Sequence, residues 1–346
     1  MIWMFLFYGA IAALTSAILF FPVNYFAKKF NWLDIPNDRK IHKKPIPRLG
    51  GVMIFVAFIA IYYLAQNTNQ MLSFIRPKTF SEIGFIFCGS AAFLLGILDD
   101  LIGIRALQKL TIQLAIGFGV AMSGLAIHSV NVLGYPIEFG VLSYLITALW
   151  VVALLNAVNL IDGMDGLAAG IMMIALGFTF VVSIIEGAFF VTLISGILFG
   201  GLLGFYIFNF PPAKIFMGDS GSYFIGCMYA MIAMMGMKKT SMAIMMAIPF
   251  VLLLLPMADI IYITFRRIKK KESIFKADKN HIHHRLLNIG LSVRQIIALT
   301  YLVCISFGLI GILIALTGGK YGLIFFFLIM CLVMAGFWVV RILEKK

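Results

Sequence analysis

The chain has 346 residues, 62% of them hydrophobic and only 12% charged, and its mean hydropathy is +1.05. Soluble globular chains carry roughly twice that charged fraction, so a water-soluble domain is excluded. The formal net charge of +13 would suit a nucleic-acid binder, but the placement of the charges argues against one.

Apolar stretches of about 17–25 residues, each long enough to cross a bilayer as a helix, recur along the chain. In order they cover about 2–27, 48–65, 82–98, 109–127, 141–158, 166–185, 188–208, 222–237, 241–265, 295–316 and 321–340. The first lacks the basic start and small-residue cleavage site of a signal peptide, and Lys28-Lys29 follow it, so it reads as a span. Lys and Arg gather in segments 28–48, 99–109, 209–222, 266–294 and 341–346. Of all 27, the opposite loops hold only Arg76, Lys78, Lys238, Lys239 and Lys320. The positive-inside rule then puts the N-terminus outside and the C-terminus in the cytoplasm. The expected architecture is an all-α, polytopic integral membrane protein with about eleven transmembrane helices, one domain over residues 1–346, embedded in the cell membrane. Cys88, Cys227, Cys304 and Cys331 fall within spans without CxxC spacing and read as small buried hydrophobes.

The strongly polar clusters all follow spans that run toward the cytoplasm. Ionisable groups beside hydrocarbon are costly and usually functional. Asp99-Asp100 ends the third span; adjacent helical residues point about 100° apart, so a site can use one more than the other. The pair suits a general base or a Mg²⁺ ligand, or else a solvated helix end paired with Arg105 and Lys109. In NAVNLIDGMDGLAAG, residues 156–170, Asn156, Asn159 and Asp162 share one helical face, and Gly163 and Gly166 permit a tight turn beside Asp165. Such a face can hold a hydrated metal and a nucleobase; capping of the sixth span is the plainer reading. In NFPPAKIFMGDSGS, residues 209–222, Asn209 ends a helix, Phe216 offers a flat ring, and Asp219 sits among Gly218, Ser220 and Gly221 at the next helix start. Helix starts favour phosphates, although Asp219 could serve only as a cap.

His281, His283, His284 and Arg285 form a cationic cluster in the longest cytoplasmic loop. It suits a diphosphate better than zinc, because HxHH lacks i, i+4 spacing and no Cys is near. In NDRKIHKKPIPRLGG, residues 37–51, Lys40, Lys43, Lys44 and Arg48 can attract an anionic substrate or lipid headgroups. Asp259 lies within the ninth span behind Pro249 and Pro256, facing the site or paired with a neighbour. A transporter would place its polar groups near the bilayer midplane, which this chain does not. A metal-dependent lipid-phosphate hydrolase is closer in chemistry but would not need a nucleotide.

Taken together, DRKIHKKPIPRLGG, LDD, NAVNLIDGMDGLAAG, NFPPAKIFMGDSGS and NHIHHRLL resemble, in order, the motifs of the polyprenyl-phosphate N-acetylhexosamine-1-phosphate transferases. The resemblance spans about 30–295. It implies transfer of a sugar-1-phosphate from a UDP-sugar to undecaprenyl phosphate with release of UMP. It implies Mg²⁺, with Mn²⁺ as a substitute, held chiefly by Asp219 with Asn159 nearby, and uridine recognition around Asp162, Gly163, Asp165, Asn209 and Phe216. It implies Asp99 as the base that ionises or orients the lipid phosphate, Asp100 in support, and the histidine loop with Arg285 on the diphosphate or sugar. HIHH followed by Arg285, rather than three consecutive histidines, is similar to the branch that starts teichoic acid, common antigen and O-antigen chains, so UDP-N-acetylglucosamine is the expected donor. The alternative is the phospho-N-acetylmuramoyl-pentapeptide branch. Direct attack and a phospho-Asp intermediate both stay open. A homodimer would suit such an enzyme, but no small-xxx-small pattern places an interface.

Overall fold

The computed structural model describes residues 1–36, 44–68, 82–132, 135–236 and 290–317, with isolated positions 324 and 331. In chain order the helices are α1 (Ile2–Lys29), α2 (Gly50–Thr68), α3 (Glu82–Ile102), α4 (Ala106–Val120), α5 (Leu142–Ile161), α6 (Leu167–Ile185), α7 (Phe189–Asn209), α8 (Gly218–Gly236) and α9 (Val293–Leu316). Among the described residues seven helices are long and apolar enough to cross a membrane. The chain is an all-α, multi-pass membrane protein. The expected spans 241–265 and 321–340, and Asp259 with them, lie outside the described residues.

The outer surface, unlike that of a soluble protein, is apolar as well as the core. Trp3, Phe7, Leu14, Ile18 and Phe21 of α1 are exposed on the outer surface, where hydrocarbon is the solvent. The centre belongs to α8, whose Tyr223, Phe224, Ile225, Cys227 and Met228 are all almost fully buried. It packs against α2, α3 and α5. Small residues permit this approach, as they do wherever membrane helices lack a hydrophobic drive to associate. A Cβ on Gly96 of α3 would collide with the Asp219–Ser220 backbone, and one on Gly51 of α2 with Gly221. These two glycines set where α8 begins.

Two short ribbons join the helices. β1 (Leu33–Asp34) pairs antiparallel with β2 (Ile46–Pro47), bringing the segment before α2 back under α1. At the other end of the bundle, β3 (Ser129–Val132) pairs with β4 (Tyr135–Glu138). This hairpin was not expected. Its sequence signal is the alternation of Val130 and Val132 with polar neighbours. The expected fourth span, 109–127, ends its α-helical part at Val120 and continues as a π-helical turn, Ala121–Leu125, in which Gly124 adopts φ 93°.

Candidate active site

The ends of α1, α3, α5 and α7 and the starts of α2, α4, α6, α8 and α9 meet at one end of the bundle. Backbone hydrogen bonds lace two loops together there. Phe216 N–H donates to Pro47 O, Gly50 N–H to Phe216 O and Gly51 N–H to Met217 O, each at 2.8 Å. The segment carrying Arg48 is thereby fixed beside the loop that leads into α8.

Asp100 caps α8 from another helix. Its Oδ1 accepts from Asp219 N–H at 2.9 Å and its Oδ2 from Ser220 N–H at 3.0 Å. The first N–H groups of a helix have no partner within it, and a carboxylate there also meets the positive end of the helix dipole. Arg48 lies 3.5 Å from Asp100 Oδ1 and 3.7 Å from Asp34 Oδ1. The Asp100 side chain is only 1% exposed. Asp100, expected in the chemistry in support of Asp99, is thus engaged with the α8 backbone. The 100° offset between neighbouring residues turns it into the α3–α8 interface, off the cavity wall.

Asp99 takes the other direction. Its Oδ1 accepts from Ile104 N–H at 2.9 Å, and its Oδ2 pairs with Lys109 Nζ and accepts from Tyr223 OH at 3.4 Å. Lys109 Nζ also lies 3.9 Å from Asp219 Oδ2, bridging the two carboxylates. Asp219 Oδ1 accepts from Asn159 Nδ2 at 2.7 Å, and the same amide donates to Ser222 Oγ at 3.1 Å. Asp162, just past α5, accepts from Gly218 N–H. Burial first, then the Asp219 and Asp100 carboxylates, hold Asp162 well above the usual carboxylate range, with Arg48 opposing.

A cavity of about 1140 Å³ opens over this cluster. Asn159, Asp162, Gly163, Asp165 and Asp219 line it with Phe216, and Lys28, Lys44, Arg48, Lys214 and Arg294 add positive charge. Asp99 is not on its wall. Two of the expected substrate contacts are engaged in hydrogen bonds within the protein. Asn156 donates to Gln113 Oε1 at 2.7 Å and to Val152 O at 2.8 Å, joining α5 to α4. Asn209 touches the cavity but is 2% exposed; it accepts from Gly166 N–H at 3.0 Å and donates to Ile215 O at 2.8 Å. Asp165 also spans these loops, accepting from Ala213 N–H at 3.0 Å. Buried amides beside irregular backbone are consumed in satisfying it. Lys43, His281, His283, His284 and Arg285 lie outside the described residues. Lys109, named from sequence only as a helix-end partner, is a central cation of the cluster; α1 and Arg294 went unnoticed as cavity walls.

Mg²⁺ takes oxygen ligands and is usually held by one or two carboxylates plus substrate phosphates. The cavity wall offers the carboxylates of Asp219 and Asp162 and the amide oxygen of Asn159. Among the described residues Lys109 and Arg48 are the cations that meet the carboxylates of Asp99, Asp100, Asp162 and Asp219, and a cluster of four carboxylates can accept a divalent cation. Among the described residues no three His, Cys, Asp or Glu form a ready metal cage.

Known proteins resemble the chain over most of its length. A model of glycosyl transferase family 4 matches residues 82–237, the stretch holding every aspartate of the cluster. A probable undecaprenyl-phosphate N-acetylglucosaminyl 1-phosphate transferase of Bacillus subtilis is 35% identical over 88% of this chain and 83% of its own. The undecaprenyl-phosphate alpha-N-acetylglucosaminyl 1-phosphate transferase of Yersinia pestis is 29% identical over 87% and 81%. A phospho-N-acetylmuramoyl-pentapeptide-transferase of Streptococcus pyogenes is 34% identical but over 64% of this chain and 71% of its own. With that extent of likeness and the aspartate cluster inside the matched region, the chain belongs to glycosyl transferase family 4.

Proposed function

We propose that this protein transfers N-acetylglucosamine-1-phosphate from UDP-N-acetylglucosamine to undecaprenyl phosphate, releasing UMP, at the cytoplasmic face of the cell membrane. The observation that carries the reading is the cavity of about 1140 Å³ at one end of a membrane bundle, with carboxylates and cations on the same wall. That end bears the excess of Lys and Arg, the side that faces the cytoplasm by the positive-inside rule. A soluble nucleotide and a lipid headgroup can meet only at such a boundary. The relatives with the N-acetylglucosamine activity in their names cover more of the chain than the pentapeptide transferase does, which supports the donor.

In this reading an oxygen of the acceptor phosphate attacks the sugar-bearing phosphorus of the donor. The bond from that phosphorus to the bridging oxygen breaks, and UMP leaves. One anhydride replaces another, so the main obstacle is bringing anions together. When bound, Mg²⁺ offsets that repulsion and stabilises charge on the diphosphate. The chain's own residues do the rest. Asp219 and Asp162, with the Asn159 amide, would hold the ion. Phe216 stacks on the uracil beside Gly163 and Asp165. Lys109, half-exposed and tied to Asp99, meets the acceptor phosphate, so Asp99 orients the lipid phosphate through Lys109. Asp100 and Arg48 fix the start of α8. Lys43, His281, His283, His284 and Arg285 add positive charge from the flanking loops.

The test is UMP release by purified protein with undecaprenyl phosphate and Mg²⁺, with either donor and with EDTA. UMP from UDP-N-acetylglucosamine alone is expected. UMP only from UDP-N-acetylmuramoyl-pentapeptide would keep the reaction and overturn the donor. EDTA-resistant release would remove the metal from the account.

A further inference from the structure

One wall of the cavity comes from α1, a helix outside every loop motif. Phe20, Asn24 and Lys28 all line the cavity. Their i, i+4, i+8 spacing puts them on one stripe along the last turns of the helix. That stripe is held firmly. Phe20 stacks on Phe208 of α7 with ring centroids 3.8 Å apart and planes at 1°. Along the same interface a Cβ on Gly204 of α7 would meet the Ala13 carbonyl, and its next neighbours would be Ser16 Cβ at 2.8 Å and Ala17 N at 2.9 Å. α7 ends at Asn209, and its exit loop carries Phe216. The α1 stripe and the expected uracil platform therefore belong to one frame.

Asn24 is half-buried, and no described residue partners its amide. A plain polar residue at a membrane boundary would turn to lipid headgroups or water outside. This one faces the reaction cavity instead. A side-chain amide both donates and accepts, so its complement is another group with an N–H and a carbonyl. UDP-N-acetylglucosamine has two: the uracil imide and the acetamido group of the sugar.

We infer that Asn24 is a donor-binding residue that hydrogen-bonds an amide-type group of the nucleotide sugar. The inference rests on the donor proposed above. The test measures direct binding of UMP, UDP-glucose and UDP-N-acetylglucosamine to the full chain, wild type against Asn24→Ala and Asn24→Asp, with the melting temperature of each. One lost hydrogen bond should weaken UDP-N-acetylglucosamine by about three- to tenfold in Asn24→Ala. Asn24→Asp should lose more, because it adds negative charge beside an anionic ligand, and its retained size covers an alanine variant that fails to fold. Equal weakening of UMP and UDP-glucose assigns the contact to uracil. Unchanged UMP and UDP-glucose assign it to the acetamido group. Wild-type affinity for UDP-N-acetylglucosamine in folded variants overturns the inference. If the wild type binds UMP but not UDP-N-acetylglucosamine, the donor reading fails, and the UMP arm alone decides: weakening keeps Asn24 on uracil, and no change overturns it.

Discussion

The part of Asp100 is the most demanding prediction, because sequence alone puts it with Asp99 in the chemistry. In the structure its two oxygens take the N–H groups of Asp219 and Ser220 at 2.9 and 3.0 Å. Asp100→Ala leaves both amides without partners in a buried setting. Each unsatisfied buried donor costs about 1–3 kcal/mol, and loss of a helix cap alone costs about 0.5–2 kcal/mol. A total of about 3–4 kcal/mol is expected. The Arg48 contact adds little, since Arg48 is 39% exposed and such pairs are screened. For a chain of this size that loss corresponds to a fall of roughly 4–6 °C in melting temperature. Thermal unfolding in detergent, run beside turnover, checks it. Asp219→Asn is the control: it should abolish turnover yet keep or raise the melting temperature, because it relieves repulsion among carboxylates. An Asp100→Ala protein that melts like wild type but has lost turnover would falsify the capping argument and return Asp100 to the chemistry.

Three further outcomes follow from the same geometry. Lys109→Met should lower kcat by about 10²-fold or more while leaving UMP affinity near wild type, measured by turnover and by UMP inhibition; a pure loss of UMP affinity would move Lys109 to the nucleotide. Asp162 is held above the usual carboxylate range by burial and by Asp219 and Asp100. A raised folded-state pKa gives stability that is whole below the unfolded value, about 4, and declines as pH rises through the folded value. In EDTA, Asp162→Asn should therefore melt higher than wild type at pH 7, with the gain vanishing near pH 4; a constant offset across that window contradicts the assignment. Asn156→Ala should cost about 1 kcal/mol of stability with no change in KM for the donor, since its amide is spent on Gln113 and Val152.

Much of the fold was legible because hydrophobic runs of membrane length have few other readings. The starts and ends of α1, α6 and α7 fall within two residues of the expected spans. The gathering of Asp99, Asp162 and Asp219 at one end was legible too, since each follows a span running in the same direction. What sequence did not show was how neighbouring polar residues divide between the cavity wall and buried contacts. Asp100 carries the same side-chain chemistry as Asp219, and only packing decides which of them meets the cavity and which satisfies a buried backbone. Lys109 was legible as a partner of Asp99, but its reach to Asp219, 110 positions away, was not. The α1 stripe was hidden because a single Asn in an apolar helix has no motif around it. The β3–β4 hairpin escaped because its alternation is only four residues long.

The central claim is that the sugar moves together with its phosphate. Donor labelled at the phosphate that bears the sugar tests this directly, in a single-turnover reaction with undecaprenyl phosphate. The account predicts the label in the lipid fraction, unlabelled UMP in solution, and neither product from Asp219→Asn. Label retained in soluble UDP would mean that the sugar is transferred without its phosphate, and the cavity would have to be reassigned to a different reaction.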